Sequence, residues 1–336
     1  MKQEKASWLA GTACRYCTSH CLRELDISHL LALYNEHRGF IAPMARSAIP
    51  AEKQPGVRIG CGRQGRAMAI FPFLWYNACN KRKEASAVAI ENGQWIMRGL
   101  DWDNPCRIRS WQELIRWIDQ VGFLPLFKNE IDGFSAEEHT SDLYWWSGDP
   151  EQDPWEWRQL IARSGQVAYG KFFGRKAGFI SRVWFPHFAN WRRCGYDFDS
   201  RWEEELASMR QKRIMDQFAG KDGLYSFDLK RLAGFGKTGE KNFEGTVTDL
   251  QMGGYLLIRD FRQRVNKKGL PYGWPIAVYA TPETLWGYEH ISSAYSAEPS
   301  LSKELVFQQV RRNFPAATEA ALQAVLGWEK GREGQQ

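Results

Sequence analysis

The sequence predicts an α+β fold in which helices predominate, and two kinds of periodic segment support this. Apolar residues recur at helical spacing after Ser110 and again after Asp153. Two β-rich stretches, 167–181 and 255–280, are each divided by a short polar turn that contains glycine. Because helices precede a hairpin in both places, we expect small antiparallel hairpins packed against helices.

The first helix is predicted to begin after Ser110, since Ser110 and Glu113 form a capping-box pattern. Gly122 is expected to end it, and residues 123–127 continue as a short apolar segment. The residues expected on its buried face are Leu114, Ile115, Ile118 and Val121. A second helix is predicted from the N-cap residue Asp153 to the next glycine, just before the first hairpin.

A longer charged helix is predicted over residues 201–218. It is followed by a short helix that Ser226 caps and Gly234 ends. Another helix is predicted over residues 238–252, with one apolar side that must pack inward. That side consists of Phe243, Val247 and Leu250.

Residues 255–265 and 274–280 are predicted to pair as strands across a turn at 266–269. Helix, helix and then hairpin is the order of a winged helix-turn-helix module, in which the hairpin is the wing. The sequence therefore predicts a tandem winged-helix architecture, each unit a helix-turn-helix plus a β-hairpin wing. Two further helices are expected at about 302–314 and 318–328.

Four segments are expected along the chain. Residues 1–107 show no sustained period and are poorly assigned, with a loosely ordered extension as one interpretation. Residues 108–200 are expected to form a first winged-helix-like domain, and residues 201–282 a second winged helix with a basic wing. Residues 283–336 are expected to form a C-terminal helical segment.

The charge is unevenly distributed, which limits the partners that can be considered. Residues 1–100 hold 14 Lys and Arg against 7 Asp and Glu, whereas residues 101–336 hold 31 against 32. Within this neutral body, residues 221–282 hold 10 against 6. Any contact between the body and DNA must therefore come from a local basic patch, and the second winged helix is where we expect it.

The expected DNA contacts lie on two elements of the second winged helix. The helix over 238–252 offers polar side chains that can donate to base edges or phosphates, and the wing offers cations for phosphates. The predicted DNA-binding residues are Lys241, Asn242, Thr246, Arg259, Arg262, Arg264, Lys267 and Lys268. Double-stranded DNA is the expected partner, and the sequence sets no oligomeric state.

Three motif-like strings do not support a cofactor or a metal. Residues 60–65 match the letters GxGxxG, but no predicted strand precedes them and no βαβ pattern surrounds them. Residues 236–238 resemble the end of a phosphate loop, yet Arg231 stands where its first glycine is required. The Cys and His residues of 14–21 lack the second ligand pair of a structural zinc site. No cofactor, nucleotide or metal is expected.

The compartment is predicted from two features. The chain has no apolar run of the roughly 18 residues that a membrane helix needs, and its start lacks the pattern of a secretory signal. Its seven cysteines, an odd number scattered along the chain, are typical of reduced thiols. We therefore expect a cytoplasmic protein without a membrane partner.

Several strings in the body are specific to a family. They are residues 121–127 (VGFLPLF), 153–158 (DPWEWR), 169–173 (YGKFF), 176–181 (KAGFIS), 195–199 (GYDFD), 239–244 (GEKNFE) and 250–261. Through them, residues 108–326 resemble proteins related to AlkZ-like DNA glycosylases, which are built from tandem winged helices. The resemblance implies binding to DNA and recognition of alkylated or otherwise damaged DNA.

Glycosylases of that kind remove alkylated purines from DNA with a Gln-x-Gln or Gln-x-Asp pair after an early helix. The matching place in this chain is 123–127, which reads FLPLF, and neither pattern occurs anywhere in the sequence. Phe and Leu can neither orient water nor stabilise positive charge on the sugar. No catalytic residue is therefore carried over from the resemblance.

Three functions remain open at this point. The first is a DNA-binding protein that recognises alkylated or damaged DNA without the usual catalytic pair. The second is an active glycosylase with a non-standard site in 145–158, where carboxylates accompany tryptophans that could hold a base. Those residues are Asp149, Asp153 and Glu156 with Trp145, Trp146, Trp155 and Trp157. The third is a non-enzymatic winged helix that contacts another protein, which the near-neutral body favours.

Overall fold

The computed structural model describes residues 90, 91 and 94–327. It begins with a short antiparallel pair, β1 (Ile90–Glu91) and β2 (Gln94–Trp95). Most of the segment predicted as a poorly assigned extension lies outside the described residues, as do the GxGxxG string and the Cys and His residues of 14–21. The described part of the chain is a mixture of helices and small antiparallel sheets.

The first unit follows the order helix, strand, two helices and a hairpin. Its elements are α1 (Trp111–Val121), β3 (Phe123–Pro125), α2 (Ala136–His139), α3 (Pro154–Ser164), β4 (Val167–Phe173) and β5 (Lys176–Ser181). The predicted caps are confirmed, because the side chains of Ser110 and Asp153 accept from the first turns of α1 and α3. Gly122 and Gly165 end these helices with positive φ.

The last strand of the first unit lies in the middle of its sheet, in the order β3–β5–β4. Phe123 pairs with Ile180 on one side of β5, and Val167 pairs with Ser181 on the other. The predicted apolar segment after α1 is thus a buried edge strand. Largely buried aromatic side chains fill the space between this sheet and the helices, among them Trp157, Phe172 and Phe179.

The second unit repeats that order. Its elements are α4 (Phe185–Arg193), α5 (Phe198–Glu203), α6 (Met209–Met215), β6 (Leu224–Tyr225), α7 (Ser226–Leu232), α8 (Phe243–Met252), β7 (Leu257–Val265) and β8 (Pro271–Ala280). From α6 onward the succession again reads helix, strand, two helices and hairpin. The sheet order is β6–β8–β7, so the last strand is again central.

Two predicted helices differ from the structure. The long helix over 201–218 is interrupted, because Glu205 adopts a positive φ and Ser208 opens a new capping box for α6. The helix predicted to start at residue 238 starts at Phe243, preceded by Asn242 at φ 64°. A left-handed residue cannot continue a right-handed helix, so the preceding residues form a loop.

The chain ends in a helical segment that packs back on the body. It contains α9 (Pro282–Trp286), α10 (Tyr288–Ser292), α11 (Pro299–Asn313) and α12 (Glu319–Leu326). The buried amide of Asn190 on α4 donates to the carbonyl of Ala297 and the hydroxyl of Ser302 at 2.9 Å each. Within the described residues, no helix is both long enough and apolar enough to cross a bilayer.

The two units share one core. The ring of Tyr169 on β4 lies 6.0 Å from that of Phe261 on β7, and the buried guanidinium of Arg158 lies 4.4 Å from the same Phe261 ring. Arg158 also stacks on Trp155 at 3.7 Å. This cation–aromatic stack joins α3 of the first unit to β7 of the second.

Candidate nucleic-acid interface

The most basic element in the described structure is the β7–β8 hairpin. Its turn is held by Asn266, whose side-chain oxygen accepts from the backbone amides of Lys268 at 2.8 Å and Leu270 at 3.1 Å. Gly269 supplies the positive φ that this turn requires. The side chains of Lys267 and Lys268 are consequently presented at an ordered tip, exposed to solvent.

The one acidic residue of the hairpin is neutralised by arginines at its base. Residues 257–280 contain five basic residues and a single acidic residue, Asp260. Its buried carboxylate lies 2.9 Å from Nε of Arg163 and 2.5 Å from Nε of Arg262. The hairpin therefore offers a DNA phosphate no exposed negative charge to repel it.

The predicted wing cations are not equivalent. Arg259 is half-buried and donates from Nη1 to the carbonyl of Asp222 at 2.6 Å, so it anchors the hairpin to the preceding loop. Arg262 and Arg264 are exposed, and the Arg264 guanidinium lies 5.7 Å from the ring centre of Phe227 on α7. The wing thus presents Arg262, Arg264 and the two lysines of its tip.

Helix α8 does not present the polar face that the sequence suggested. Thr246 is buried, and its hydroxyl donates to the carbonyl of Asn242 at 2.9 Å. Gln251 is also buried, and its side-chain oxygen accepts from the amide of Lys171 on β4 at 3.0 Å. Part of the supposed solvent face is therefore buried, and Gln251 contacts the first unit. Thr246 is not available for DNA contact.

The loop before α8 keeps two predicted residues at the surface. The ammonium of Lys241 donates to the carbonyl of Gly236 at 2.8 Å and also to the carbonyl of Lys237, closing the loop. Asn242 is exposed, and its amide packs over the first turn of α8 where Gly245 leaves room for it. Lys241 and Asn242 therefore lie together, whereas the wing residues lie on a different element.

Helix α7 presents two cations that we did not include among the predicted DNA-binding residues. Lys230 and Arg231 are exposed there. Lys230 lies over the ring of Phe243 at 5.6 Å, and Arg231 pairs with Asp228 at 3.1 Å. The signal in the sequence was the adjacent pair of cations in a short helix that directly precedes the predicted DNA-contacting helix.

A groove separates α7 from the hairpin. It measures about 500 Å³, and its lining combines aromatic rings with cations. Residues of both elements contribute, namely Tyr225, Phe227, Arg262, Arg264, Tyr272 and Ile276. Register pairing places Arg262 opposite Ile276 and Arg264 opposite Tyr272. The two arginines thus stand beside apolar or aromatic neighbours on the hairpin.

Two of the three predicted carboxylates of 145–158, Asp149 and Asp153, accept from backbone amides, whereas Glu156 accepts from the side-chain amide of Gln159. Asp153 is fully buried, and its two oxygens accept from the amides of Trp146, Gly148 and Trp155 at 2.8–3.1 Å. Asp149 accepts from the amide of Glu151 at 3.0 Å. Both carboxylate oxygens of Asp153 are therefore occupied by backbone amides of the local structure.

The tryptophans of that region are mostly structural. Trp157 is fully buried, and the indole of buried Trp145 donates to Thr140 at 3.0 Å. Trp155 is half-buried beneath Arg158, and Trp146 alone among the four is exposed. Residues 123–127 are also apolar, since β3 is buried and the ring of Phe127 lies 5.5 Å from that of Trp145.

Within the described residues, no group of three or more His, Cys, Asp or Glu side chains could hold a metal ion.

Comparison with known proteins gives one match. The model of the family described as AlkZ related matches residues 108–327, which covers both units and the C-terminal helices. Neither the curated proteins nor the solved structures contain a significant match.

Proposed function

The chain belongs to the AlkZ-related family, and from this we propose that it is a DNA-binding protein whose second unit is a winged helix. Two features of residues 209–280 support this. Their elements follow the order helix, strand, two helices, strand, turn and strand, and the last strand lies in the middle of its sheet. The first unit has the same order, so we propose tandem winged helices.

The observation that carries the proposal is the charge of the β7–β8 hairpin. Arg264, Lys267 and Lys268 are exposed and have no carboxylate partner among the described residues, while Asp260 is buried between two arginines. Releasing counterions from DNA phosphates supplies most of the affinity of such an interface. A hairpin of this kind is suited to the DNA backbone.

The proposed interface differs from the one expected at first. It uses Arg262, Arg264, Lys267 and Lys268 of the wing, with Lys241 and Asn242 from the loop before α8. Lys230 of α7 extends it. Thr246 and Arg259 support the structure behind this surface, because one is buried and the other is anchored to Asp222.

Recognition of alkylated or damaged DNA is the finer part of the proposal, and family membership supports it. No residue is proposed as catalytic, since β3 is apolar and the buried Asp153 is occupied by backbone amides. Base excision with a non-standard site therefore has weaker support than DNA binding alone. A protein partner in place of DNA is the outcome that the following experiment would expose.

The test is a binding titration of the full chain against plain and N7-alkylated duplexes, at low and at physiological salt. The variant Arg264→Glu/Lys267→Glu/Lys268→Glu should bind at least about 100-fold more weakly at low salt, with a salt slope reduced by about 2–3. The control Arg116→Glu/Lys176→Glu/Arg312→Glu makes the same change in net charge at exposed sites elsewhere.

Preference for the alkylated duplex would support damage recognition, and equal affinity would restrict the function to general DNA binding. Absence of binding to both duplexes at low salt would overturn the proposal and favour a protein partner. Equal losses in the hairpin variant and the control would show that net charge, and not this hairpin, determines affinity.

A further inference from the structure

The groove between α7 and the hairpin exposes more aromatic surface than a phosphate contact needs. Tyr225 is 39% exposed, Phe227 46% and Tyr272 50%. Large aromatic side chains are normally buried because leaving them in water forfeits the hydrophobic stabilisation of burial. Three of them beside one groove therefore indicate a surface that something covers in use.

Two of the rings form a stacked pair. Tyr225 and Phe227 have ring centres 5.5 Å apart with planes inclined by 28°, so the pair can be extended by a further flat ring. The guanidinium of Arg264 lies 5.7 Å from the centre of the Phe227 ring. Tyr272 lines the groove from the hairpin side. Flat rings next to cations can accept a flat, electron-rich ligand and the negative charge attached to it.

An intact duplex does not offer such a ligand, because its bases already stack on one another. An unpaired nucleotide does, since its base presents a free face and its phosphate a charge for Arg262 or Arg264. Proteins that hold single strands combine a positive groove with aromatic stacking of this kind. Charge complementarity therefore favours a nucleic-acid strand over an apolar peptide.

We propose that the groove lined by Tyr225, Phe227 and Tyr272 stacks unpaired bases of a DNA strand whose phosphates contact Arg262 and Arg264. This rests on the proposed DNA binding and specifies its ligand, which is DNA that contains unstacked nucleotides. The wing lysines then bind the backbone of any DNA, and the groove selects strands with accessible bases.

The experiment distinguishes the affinity that comes from stacked bases from the affinity that comes from phosphates. The full chain is titrated at low salt with a thymidine strand of about 12 nucleotides and with an abasic strand of the same length. Wild type should bind the thymidine strand at least about 10-fold more tightly, since each stacked base adds affinity. The variant Tyr225→Leu/Phe227→Leu should reduce that ratio to within about 2-fold and leave affinity for the abasic strand unchanged.

A variant on the other side of the groove and a control variant outside the groove complete the test. Tyr272→Leu changes the hairpin side of the groove alone and should lower the same ratio even if the double variant folds poorly. Trp102→Leu removes an aromatic ring that is 59% exposed outside the groove and should leave the ratio unchanged.

Equal affinity of wild type for the two strands, with duplex binding intact, would overturn this inference alone. The same holds if both groove variants keep the wild-type ratio. Failure of wild type to bind either strand or any duplex would overturn both this inference and the proposed function.

Discussion

Arg163 on α3 and Asp260 on β7 are 97 positions apart in sequence and are joined by a hydrogen bond of 2.9 Å from Nε to Oδ1. The other carboxylate oxygen of Asp260 faces Arg262, and Oδ1 also accepts from the amide of Phe261 at 2.7 Å. One buried carboxylate thus connects the first unit, the wing and the backbone of β7. The hairpin is oriented from its base, and its tip carries the free cations.

We predict that Asp260→Ala lowers the free energy of unfolding by about 1–2 kcal/mol, because Arg163 and Arg262 lose their shared partner. Both arginines are at least half exposed, so water screens part of the loss. Urea denaturation measures the change. Asp249→Ala, which breaks the exposed pair with Arg175, is the control and should cost less than about 1 kcal/mol. Equal losses would contradict an anchoring role for Asp260.

Asp153→Ala should destabilise the protein by about 2–4 kcal/mol, since three backbone amides lose their acceptor. Thermal or urea unfolding would show it. Asp149→Ala removes a single bond in an adjacent turn and should cost about 1 kcal/mol or less. If Asp153→Asn abolished base release from alkylated DNA while stability stayed at the wild-type level, Asp153 would belong to an active site after all.

Thr246→Val should leave DNA affinity within about 2-fold of wild type, because the side chain is buried, and should cost about 1 kcal/mol of stability through the lost bond to Asn242. Lys267→Ala provides the comparison, with weaker binding and a salt slope smaller by about 1. Titrations with one duplex measure both. A large loss of affinity in Thr246→Val at unchanged stability would restore α8 as a contact surface.

Acid should destabilise the fold through His139. Burial lowers the pKa of this imidazole from 6.5 to about 4, and its Nε2 lies 2.8 Å from the carbonyl of Gly133. Between pH 6.5 and pH 4 the unfolded chain binds a proton that the folded chain does not. Stability is therefore full above pH 6.5 and falls as the pH drops towards 4, by about 3 kcal/mol for this group.

Urea unfolding at neutral pH and near the lower end of that window measures this dependence. His139→Gln should be less stable at neutral pH and should lose less on acidification than wild type. Other groups titrate in both proteins, so the difference between the two losses belongs to His139. Identical losses would show that His139 does not titrate with the predicted shift.

The helix caps and the hairpin turn could be predicted from the sequence, because they depend on residues that are close together in the chain. The caps at Ser110 and Asp153, the glycine ends and the hairpin turn at 266–269 all depend on residues within a few positions of one another. The start of α8 could not be found in this way. Periodicity extends over 238–252, but Asn242 takes a left-handed conformation, which the spacing of apolar residues does not reveal.

The candidate interface could also be predicted only in part. The basic hairpin was evident from composition, because exposed turns tolerate clustered cations. The burial of Thr246 and Gln251 was not evident from the sequence. Gln251 accepts from the amide of Lys171 on β4, which is 80 positions away. A helix with one apolar face appears amphipathic in sequence even when a second element covers its polar face. The aromatic groove likewise requires α7 and β8 together.

Gln251 of α8 satisfies the amide of Lys171 at the edge of the first sheet, and Phe261 of β7 lies against Tyr169 of the same strand. The repeated order of elements therefore does not divide the molecule into two independent modules. A chain cut between residues 200 and 201 would leave the amide of Lys171 on the edge strand without its acceptor in one half and the buried side chain of Gln251 exposed in the other. Because the two units depend on these shared contacts, neither is expected to be portable to another protein.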